Sequence, residues 1–342
     1  MSIASTTSLD TAELRGRLKR FNEAQAAIMR EVGRVIVGQE EVIEQVLISL
    51  FVGGHCLITG LPGTAKTSLV RAMAQTLGLD FKRIQFTPDL MPSDITGTDI
   101  IEEDPTTGHR TWTFVRGPIF SNVLLADEIN RTPPKTQSAL LEAMQELSCT
   151  VRGHQYRIEA PFFVLATQNP IELEGTYPLP EAQLDRFLFN TVLDYLSADD
   201  EFKVVDLTTT THVPSVDVVT NGEEILSFQQ LVRMTPVAES VARYAVDLVR
   251  ATRPNGNGGA PDFVKKYVNF GGSVRAAQFL VLAGKARALM HGRYHVAYED
   301  VRALVVPILR HRILLNFHAE SDRLNSDEIL RRLLDVKPAP RG

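Results

Sequence analysis

Apolar residues recur at helical spacing from Thr11 to Ile36, with Leu14, Leu18, Phe21, Ala24 and Ile28 on one face, which predicts a long amphipathic helix. Glu40 to Phe51 predicts a second helix, stopped by Gly53-Gly54. Short apolar runs and helical stretches then alternate. His55 to Thr59 reads as a buried strand, Lys66 to Leu77 as a helix ended by Gly78, and Phe81 to Phe86 as the next strand. Val123 to Ala126 and Phe162 to Thr167 read as further strands, separated by a helix that opens at Pro133-Pro134 and runs to about Leu147. Alternation of this kind predicts an α/β fold, a parallel sheet covered by helices.

Two segments break the alternation. Ile100 to Val115 carries a turn signal, Asp104 to Gly108, and Trp112 and Phe114 alternate with threonines on its second arm. Cys149 to Ile158 reads as another hairpin, turning near Gly153. Both are expected as β-hairpin inserts on the sheet domain. After Leu193 the pattern changes. A helix over Asp199 to Leu207 is followed by a Thr-rich link through Asn221-Gly222, then by helical patterns to about Leu334, interrupted by the loop Asn255 to Gly259. The chain therefore divides into an N-terminal helix (1–36), an α/β domain (37–195), a small all-α domain (196–335) and a Pro-rich tail (336–342) expected to be disordered.

A length of 342 residues accommodates two such domains, each with its own core. Hydrophobic residues at 44% and charged residues at 23% place the chain among soluble globular proteins. The formal net charge of -5 supplies no global attraction to nucleic acid or to anionic membrane. Cys56 and Cys149 are too few for a disulfide framework and read as small buried hydrophobes, in keeping with a reducing cytoplasm. MSIASTTSLD has no basic stretch leading into an apolar one, so no signal peptide is expected. The most apolar run, Val46 to Ile58, is broken by Gly53, Gly54 and His55 and falls short of the roughly 20 residues a membrane span requires.

Gly60-Leu61-Pro62-Gly63-Thr64-Ala65-Lys66-Thr67 follows a strand and opens a helix, the context of a phosphate-binding loop. Backbone N–H groups of the turn and of the helix start, Ser68 included, would face the phosphates. Lys66 would lie against the β- and γ-phosphates and the Thr67 hydroxyl on Mg²⁺. Ala65 stands where the motif has its second glycine, and alanine tolerates fewer backbone conformations. Downstream, Val123-Leu124-Leu125-Ala126-Asp127-Glu128 is an apolar strand ending in two acids. A parallel strand delivers its last residues to the carboxyl edge of the sheet, where ligands bind. Asp127 is the candidate to hold Mg²⁺ and Glu128 to orient and deprotonate the attacking water. An isolated Asp-Glu pair is ordinarily a solvated turn; its place after an apolar strand downstream of Lys66 argues otherwise. Ala166-Thr167-Gln168-Asn169-Pro170 ends a further strand, and Asn169 is a candidate sensor of the γ-phosphate, or else a turn-forming Asn before Pro. Arg186, in Leu184-Asp185-Arg186-Phe187, is a candidate arginine finger, its alternative a surface ion pair.

As an ordered set these residues resemble the MoxR-type AAA+ ATPases. GLPGTAKT with its alanine, Val37-Gly38-Gln39, LLADEINR, ALLEAMQE, LATQNP and LPEAQLDRF all match that family's pattern, from about Arg34 onward. The resemblance implies a P-loop AAA+ sheet with two hairpin inserts, of the clade shared with magnesium chelatase and the replicative helicases, followed by a helical lid. It implies ATP and Mg²⁺ as cofactors, adenine contacts from Val37 and Gly38, and Arg275 as a lid-domain sensor, with Ser273 as the N-cap that places Arg275 in a helical first turn. It also implies a hexameric ring, and partners carrying von Willebrand factor A domains in protein maturation or metal-cofactor assembly.

Three functions compete on these residues: a remodeller acting on partner proteins, a nucleic-acid motor, and a nucleotide-gated scaffold. The acidic net charge and the lack of a basic run weigh against the second, and intact Lys66, Asp127, Glu128 and Arg186 against the third. His291 and His295 flank Gly292 at an expected helix end and read as structural. Glu142 and Glu146 share a helix face at i,i+4, facing solvent or a neighbouring subunit. Arg152, His154 and Arg157 make the second hairpin locally basic, a grip for acidic ligands or a solubilising charge.

Overall fold

The structure is a computed structural model that describes residues 11–61, 63–103, 109–170, 175–210, 215–256 and 259–340. The N-terminal leader reading, Pro62, the Asp104 to Gly108 turn, part of the Asn255 to Gly259 loop and the last two residues lie outside the described residues. The N-terminal part runs α1 (Thr11–Gly33), α2 (Glu40–Val52), β1 (His55–Gly60), α3 (Lys66–Thr76), β2 (Phe81–Gln85), α4 (Pro92–Thr96), β3 (Gly97–Glu103), β4 (Arg110–Arg116), β5 (Val123–Asp127), α5 (Pro134–Glu146), β6 (Ser148–Val151), β7 (His154–Arg157), β8 (Phe163–Gln168), α6 (Glu181–Leu184) and β9 (Phe187–Leu193). The C-terminal part contributes α7 (Ala198–Thr209), α8 (Gly222–Met234), α9 (Glu239–Ala251), α10 (Asp262–Tyr267), β10 (Val268–Phe270), α11 (Val274–Met290), α12 (Tyr298–Leu309), β11 (Leu314–Leu315), α13 (Phe317–Ser321) and α14 (Ser326–Val336).

Five strands form one parallel sheet in the order β2-β5-β8-β1-β9. Its inner strands β5, β8 and β1 read as largely apolar runs because both faces are covered, whereas the edge strand β2 carries the exposed Lys82 and Arg83. Successive side chains then divide between two cores. Cys56, Ile58, Val123, Leu125, Phe163 and Leu165 face the side of α1, α2 and α3, while Leu57, Leu124, Ala126, Val164 and Ala166 face Leu140 and Leu141 of α5. Both candidate inserts are antiparallel hairpins, β3 with β4 and β6 with β7. Arg152 and Gly153 turn the second with φ of 48° and 83°, a two-residue turn of the kind that suits strand twist.

The hairpins are joined to each other. The Phe114 and Tyr156 rings stack at 3.9 Å, and the Arg152 guanidinium lies 4.5 Å from the Trp112 ring and 3.8 Å from the Asp99 carboxylate. Arg152 thus has intramolecular work and is not a freely presented basic group.

α1 is no detached N-terminal piece. Phe21, Ala24, Ile28 and Val32 are buried, and the Phe21 ring lies 4.9 Å from Phe51 of α2 and 5.2 Å from Phe228 of α8. The first core accordingly continues from the sheet into the lid through Ile225, Phe228 and Leu231, so Tyr195 marks a change of architecture within a continuous core. The link before α8 is also held, since Val219 N–H donates to the Thr76 carbonyl at 2.8 Å. Nor does the expected disorder begin at Val336. That residue completes α14, and the Lys337 carbonyl accepts from Tyr244 Oη at 2.9 Å and from Arg302.

Burial settles several polar side chains. The buried His55 accepts from Val164 N–H at Nδ1 and donates to the Met144 carbonyl from Nε2, both at 3.1 Å, and burial pushes its pKa down to about 4. Burial raises the Cys56 thiol to about 12 and the Cys149 thiol to about 11. α11 ends at Met290, with Gly292 at φ 72°, and His291 Nε2 lies 3.1 Å from Glu44 Oε1. Among the described residues no cluster of His, Cys, Asp or Glu suits a metal ion.

Candidate active site

The carboxyl ends of β1, β5 and β8 meet at one edge of the sheet, and a cavity of ≈ 490 Å³ opens there. It is lined by Gly63, Thr64, Ala65, Lys66, Thr67 and Ser68 together with Asp127, Glu128, Thr167 and Asn169. The loop after β1 turns sharply through Gly63 at φ 83° and Ala65 at φ 59°, ψ 23°, then enters α3 at Lys66. A left-handed alanine costs on the order of 1 kcal/mol, strain that has to be balanced by the surrounding loop contacts. Lys66 Nζ donates to the Gly60 and Leu61 carbonyls at 2.8 Å each, and Thr64 Oγ1 donates to the Leu61 carbonyl at 2.8 Å. Burial lowers the Lys66 pKa, and the nearby Asp127 and Glu128 carboxylates oppose that shift. The first N–H groups of α3 have no partner within the helix, so the loop and helix start present donors and a cation to the cavity.

On the opposite wall, Asp127 is the last residue of β5 and nearly buried. Thr167 Oγ1 donates to Asp127 Oδ1 at 2.6 Å and accepts from the Glu128 backbone N–H at 2.9 Å. Arg83 on β2 reaches the other carboxylate oxygen, Asp127 Oδ2, at 2.6 Å. Glu128 itself adopts φ 56°, ψ 49°, which swings its carboxylate out of line with the strand. There Gln85 Nε2 donates to Glu128 Oε2 at 2.8 Å and Arg131 Nη1 at 3.1 Å. Thr67 and Asp127, a hydroxyl and a carboxylate lining the same cavity from opposite walls, are the hard oxygen donors a Mg²⁺ ion takes beside phosphate.

Lys66, Thr67, Asp127, Glu128 and Asn169 are thus brought together around one cavity. Thr167, Arg83, Gln85 and Arg131 are not foreseen. Thr167 lies within the ATQNP motif, two residues before Asn169. Arg83 and Gln85 share one face of β2, and Gln85 pairs in register with Asp127. That register requires β2 to neighbour β5, which no local pattern announces.

Six expected residues lie outside the lining of this cavity: Gly60 and Leu61, whose carbonyls accept from Lys66, and Val37, Gly38, Arg186 and Arg275. Gly38 has φ 69° and is overlaid by Asp200 of α7, so closely that a Cβ there would come within 2.8 Å of Asp200 Oδ2. Val37 precedes it at this crossing. Arg186 instead donates from Nη1 to the Leu141 carbonyl at 2.7 Å and shares a recess with Glu142, Glu146 and Gln183. Arg275 does stand in the first turn of α11, but its guanidinium pairs with Asp185 at 3.0 Å. Ser273 precedes α11 without capping it through its side chain, because its hydroxyl donates to the Asp185 carboxylate at 3.1–3.2 Å.

A parallel sheet with a phosphate-type loop on one strand and an acid pair on the next but one, closed by a helical lid, defines an ATPase of the AAA class. Residues 55–189 match the ATPase family associated with various cellular activities (AAA), and residues 263–333 match the AAA lid domain. The chain is 41% identical to "Chaperone MoxR1" of Mycobacterium tuberculosis, over 91% of this chain and 81% of that protein. It is also 41% identical to "Uncharacterized protein YeaC" of Bacillus subtilis, over 91% of this chain and 93% of that one. A crystal structure from Cytophaga hutchinsonii, assigned as an ATPase by its description, superposes with a TM-score of 0.88 at 39% identity, covering 96% of this chain and 99% of that chain. The chain belongs to the MoxR family of AAA+ ATPases.

Proposed function

We propose that the chain couples Mg-ATP hydrolysis to the remodelling or maturation of partner proteins, with the chemistry in the cavity between Gly63 and Asn169. The observation that carries this is the convergence there of one cation, a ring of loop donors, and two acids of unlike environment. Lys66 has its ammonium drawn onto two carbonyls, from which it can turn to bind phosphate charge. The bound Mg²⁺ would neutralise charge on the phosphoryl oxygens. Thr67 and Asp127 would hold that ion, and Thr167 keeps the Asp127 carboxylate aimed. Glu128, poised by Gln85 and Arg131, would take a proton from the attacking water, with Asn169 orienting that water.

Arg186 and Arg275 lie outside the lining of this cavity, held at the Leu141 carbonyl and at Asp185, which supports their action on the nucleotide of a neighbouring copy. A head-to-tail arrangement of that kind closes into a ring when its rotation permits, and a hexamer is the form the family resemblance implies. Proteins with von Willebrand factor A domains are the partner class proposed on the same ground, in a cytoplasmic setting. The name of the Mycobacterium tuberculosis relative supports a chaperone-like role.

Two substitutions test the chemistry. Lys66→Ala should abolish nucleotide binding, whereas Glu128→Gln should bind ATP normally and release no phosphate, because charge neutralisation and water activation are separate tasks. Measured by fluorescent-nucleotide titration and phosphate release, near-normal turnover in Glu128→Gln would remove that residue from the base role. The same Glu128→Gln protein, holding ATP, is the bait with which to capture the partners.

A further inference from the structure

Asp185, immediately before Arg186, is gripped from the lid. Arg312, just past α12, donates from Nε to Asp185 Oδ1 at 2.8 Å and from Nη2 to the Asp185 carbonyl at 2.9 Å. Arg275 takes Asp185 Oδ2 at 3.0 Å, and the Ser273 hydroxyl reaches both carboxylate oxygens. The Arg312 side chain is 1% exposed, and its remaining donors go to the Phe187, Leu188 and Ile308 carbonyls. A buried guanidinium is retained only where its charge is paired and its hydrogen bonds are satisfied, so this grip is specific. The neighbouring His311 is buried as well. Its Nε2 lies 2.6 Å from Arg312 Nη1 and its pKa is held well below the usual range by burial and by Arg312, so it adds no competing charge.

The consequence is geometric. Of the two arginines that lie outside the lining of their own cavity, Arg186 is bonded to the residue that Arg275 grips by its carboxylate. One acid therefore holds the Arg275 guanidinium beside the backbone that carries Arg186, and Arg312 ties that acid to the lid. We propose that Asp185 is a positioning residue: with Arg312 as its anchor it makes Arg186 and Arg275 a single unit, delivered to a neighbouring subunit's nucleotide at a placement set by the lid. This rests on the reading that Arg186 acts in trans.

The test uses the full-length protein. Asp185→Asn keeps the shape and loses the charge. The expected result is a nucleotide Kd within about twofold of the parent, an unchanged KM, and a kcat lower by roughly tenfold to a hundredfold, the scale of a misplaced catalytic group. Mixing with Glu128→Gln subunits, which cannot hydrolyse but carry Asp185, Arg186 and Arg275 intact, should restore activity to the Asp185→Asn subunits. A residue that merely stabilised its own subunit would not be rescued that way. Arg186→Ala in the same mixing assay separates the two ideas. If Arg186→Ala is not rescued despite co-assembly, the trans reading itself fails. If it is rescued and Asp185→Asn is not, or if Asp185→Asn keeps full kcat, the positioning proposal falls alone. Should Asp185→Asn not assemble, Ser273→Ala removes only an exposed hydroxyl from the same carboxylate. It should lower kcat by roughly threefold to fivefold with the same rescue, and full kcat in Ser273→Ala would overturn the proposal.

Discussion

Thr167 shows how much a single hydroxyl can do at this site. It donates to Asp127 and accepts from the backbone N–H of Glu128, so one side chain orients both acids. Thr167→Val, close to isosteric, leaves that N–H without a partner and the Asp127 carboxylate less restrained. Losing such bonds at a buried position costs about 1–3 kcal/mol, and kcat is expected to fall by roughly tenfold or more while ATP binding persists. Steady-state turnover beside nucleotide titration checks this, and parent-level kcat would take Thr167 out of the site. The cysteines make an opposite case. Burial holds both thiols protonated at neutral pH, so neither should react with a thiol reagent until the chain unfolds. Rapid labelling of the native protein would contradict their burial. The Ala65 departure from the usual glycine also resolves at this scale. The residue does adopt the left-handed conformation that makes glycine common there, and the loop tolerates the strain.

At the scale of elements, α1 and β1 carry consequences for stability. Phe21 is wholly buried between Phe51 and Phe228, joining α1, α2 and α8. Phe21→Ala should destabilise the fold by about 3–5 kcal/mol, read as a shifted denaturant midpoint. A loss below about 1 kcal/mol would mean that α1 is a dispensable addition. His55 at the head of β1 makes stability depend on pH. Folded, it stays neutral down to about pH 4; unfolded, it takes up a proton near its ordinary pKa of 6.5. Between those values the unfolded chain binds more protons. The contribution is therefore complete above about pH 6.5 and is lost as pH falls toward 4, by up to about 3 kcal/mol. Burial of His311 acts in the same direction. Denaturant melts from pH 7 to 4.5 should show the midpoint falling, and less steeply in His55→Gln; a flat midpoint in the parent would contradict neutral burial.

For the whole molecule, the balance of charge predicts weak binding to DNA. Phosphate contacts supply most non-specific affinity, and a net charge of -5, with Arg152 already engaged by Trp112 and Asp99, leaves little to supply them. Titration with single- and double-stranded DNA at moderate salt should find no sub-micromolar binding and no stimulation of ATPase activity. Sub-micromolar binding, or stimulation of the ATPase by DNA, would promote a nucleic-acid motor over a protein remodeller. On the proposal that Arg186 and Arg275 act on a neighbour's nucleotide, ATPase activity per subunit should rise with protein concentration as copies assemble. Flat activity from monomeric to oligomeric conditions would return Arg186 to a structural role.

What the chain's own pattern determined is whatever depends on local spacing. Apolar runs of strand length alternating with helices announced the parallel sheet. GLPGTAKT announced the loop between β1 and α3, and an apolar strand ending in Asp127-Glu128 announced the acids. These are legible because each is one continuous segment whose backbone geometry demands particular residues. Pairing across the sheet is of another kind. Arg83 and Gln85 meet the acids only because β2 lies beside β5, and strand order is a property of packing. Likewise Arg312, which no motif in the sequence singles out, becomes the anchor of Asp185 because the continuous core brings the end of α12 onto the head of β9. Spacing along the chain carries no information about contacts between segments so far apart. The tertiary fold alone decided which arginines meet the Asp127 carboxylate and which meet Asp185.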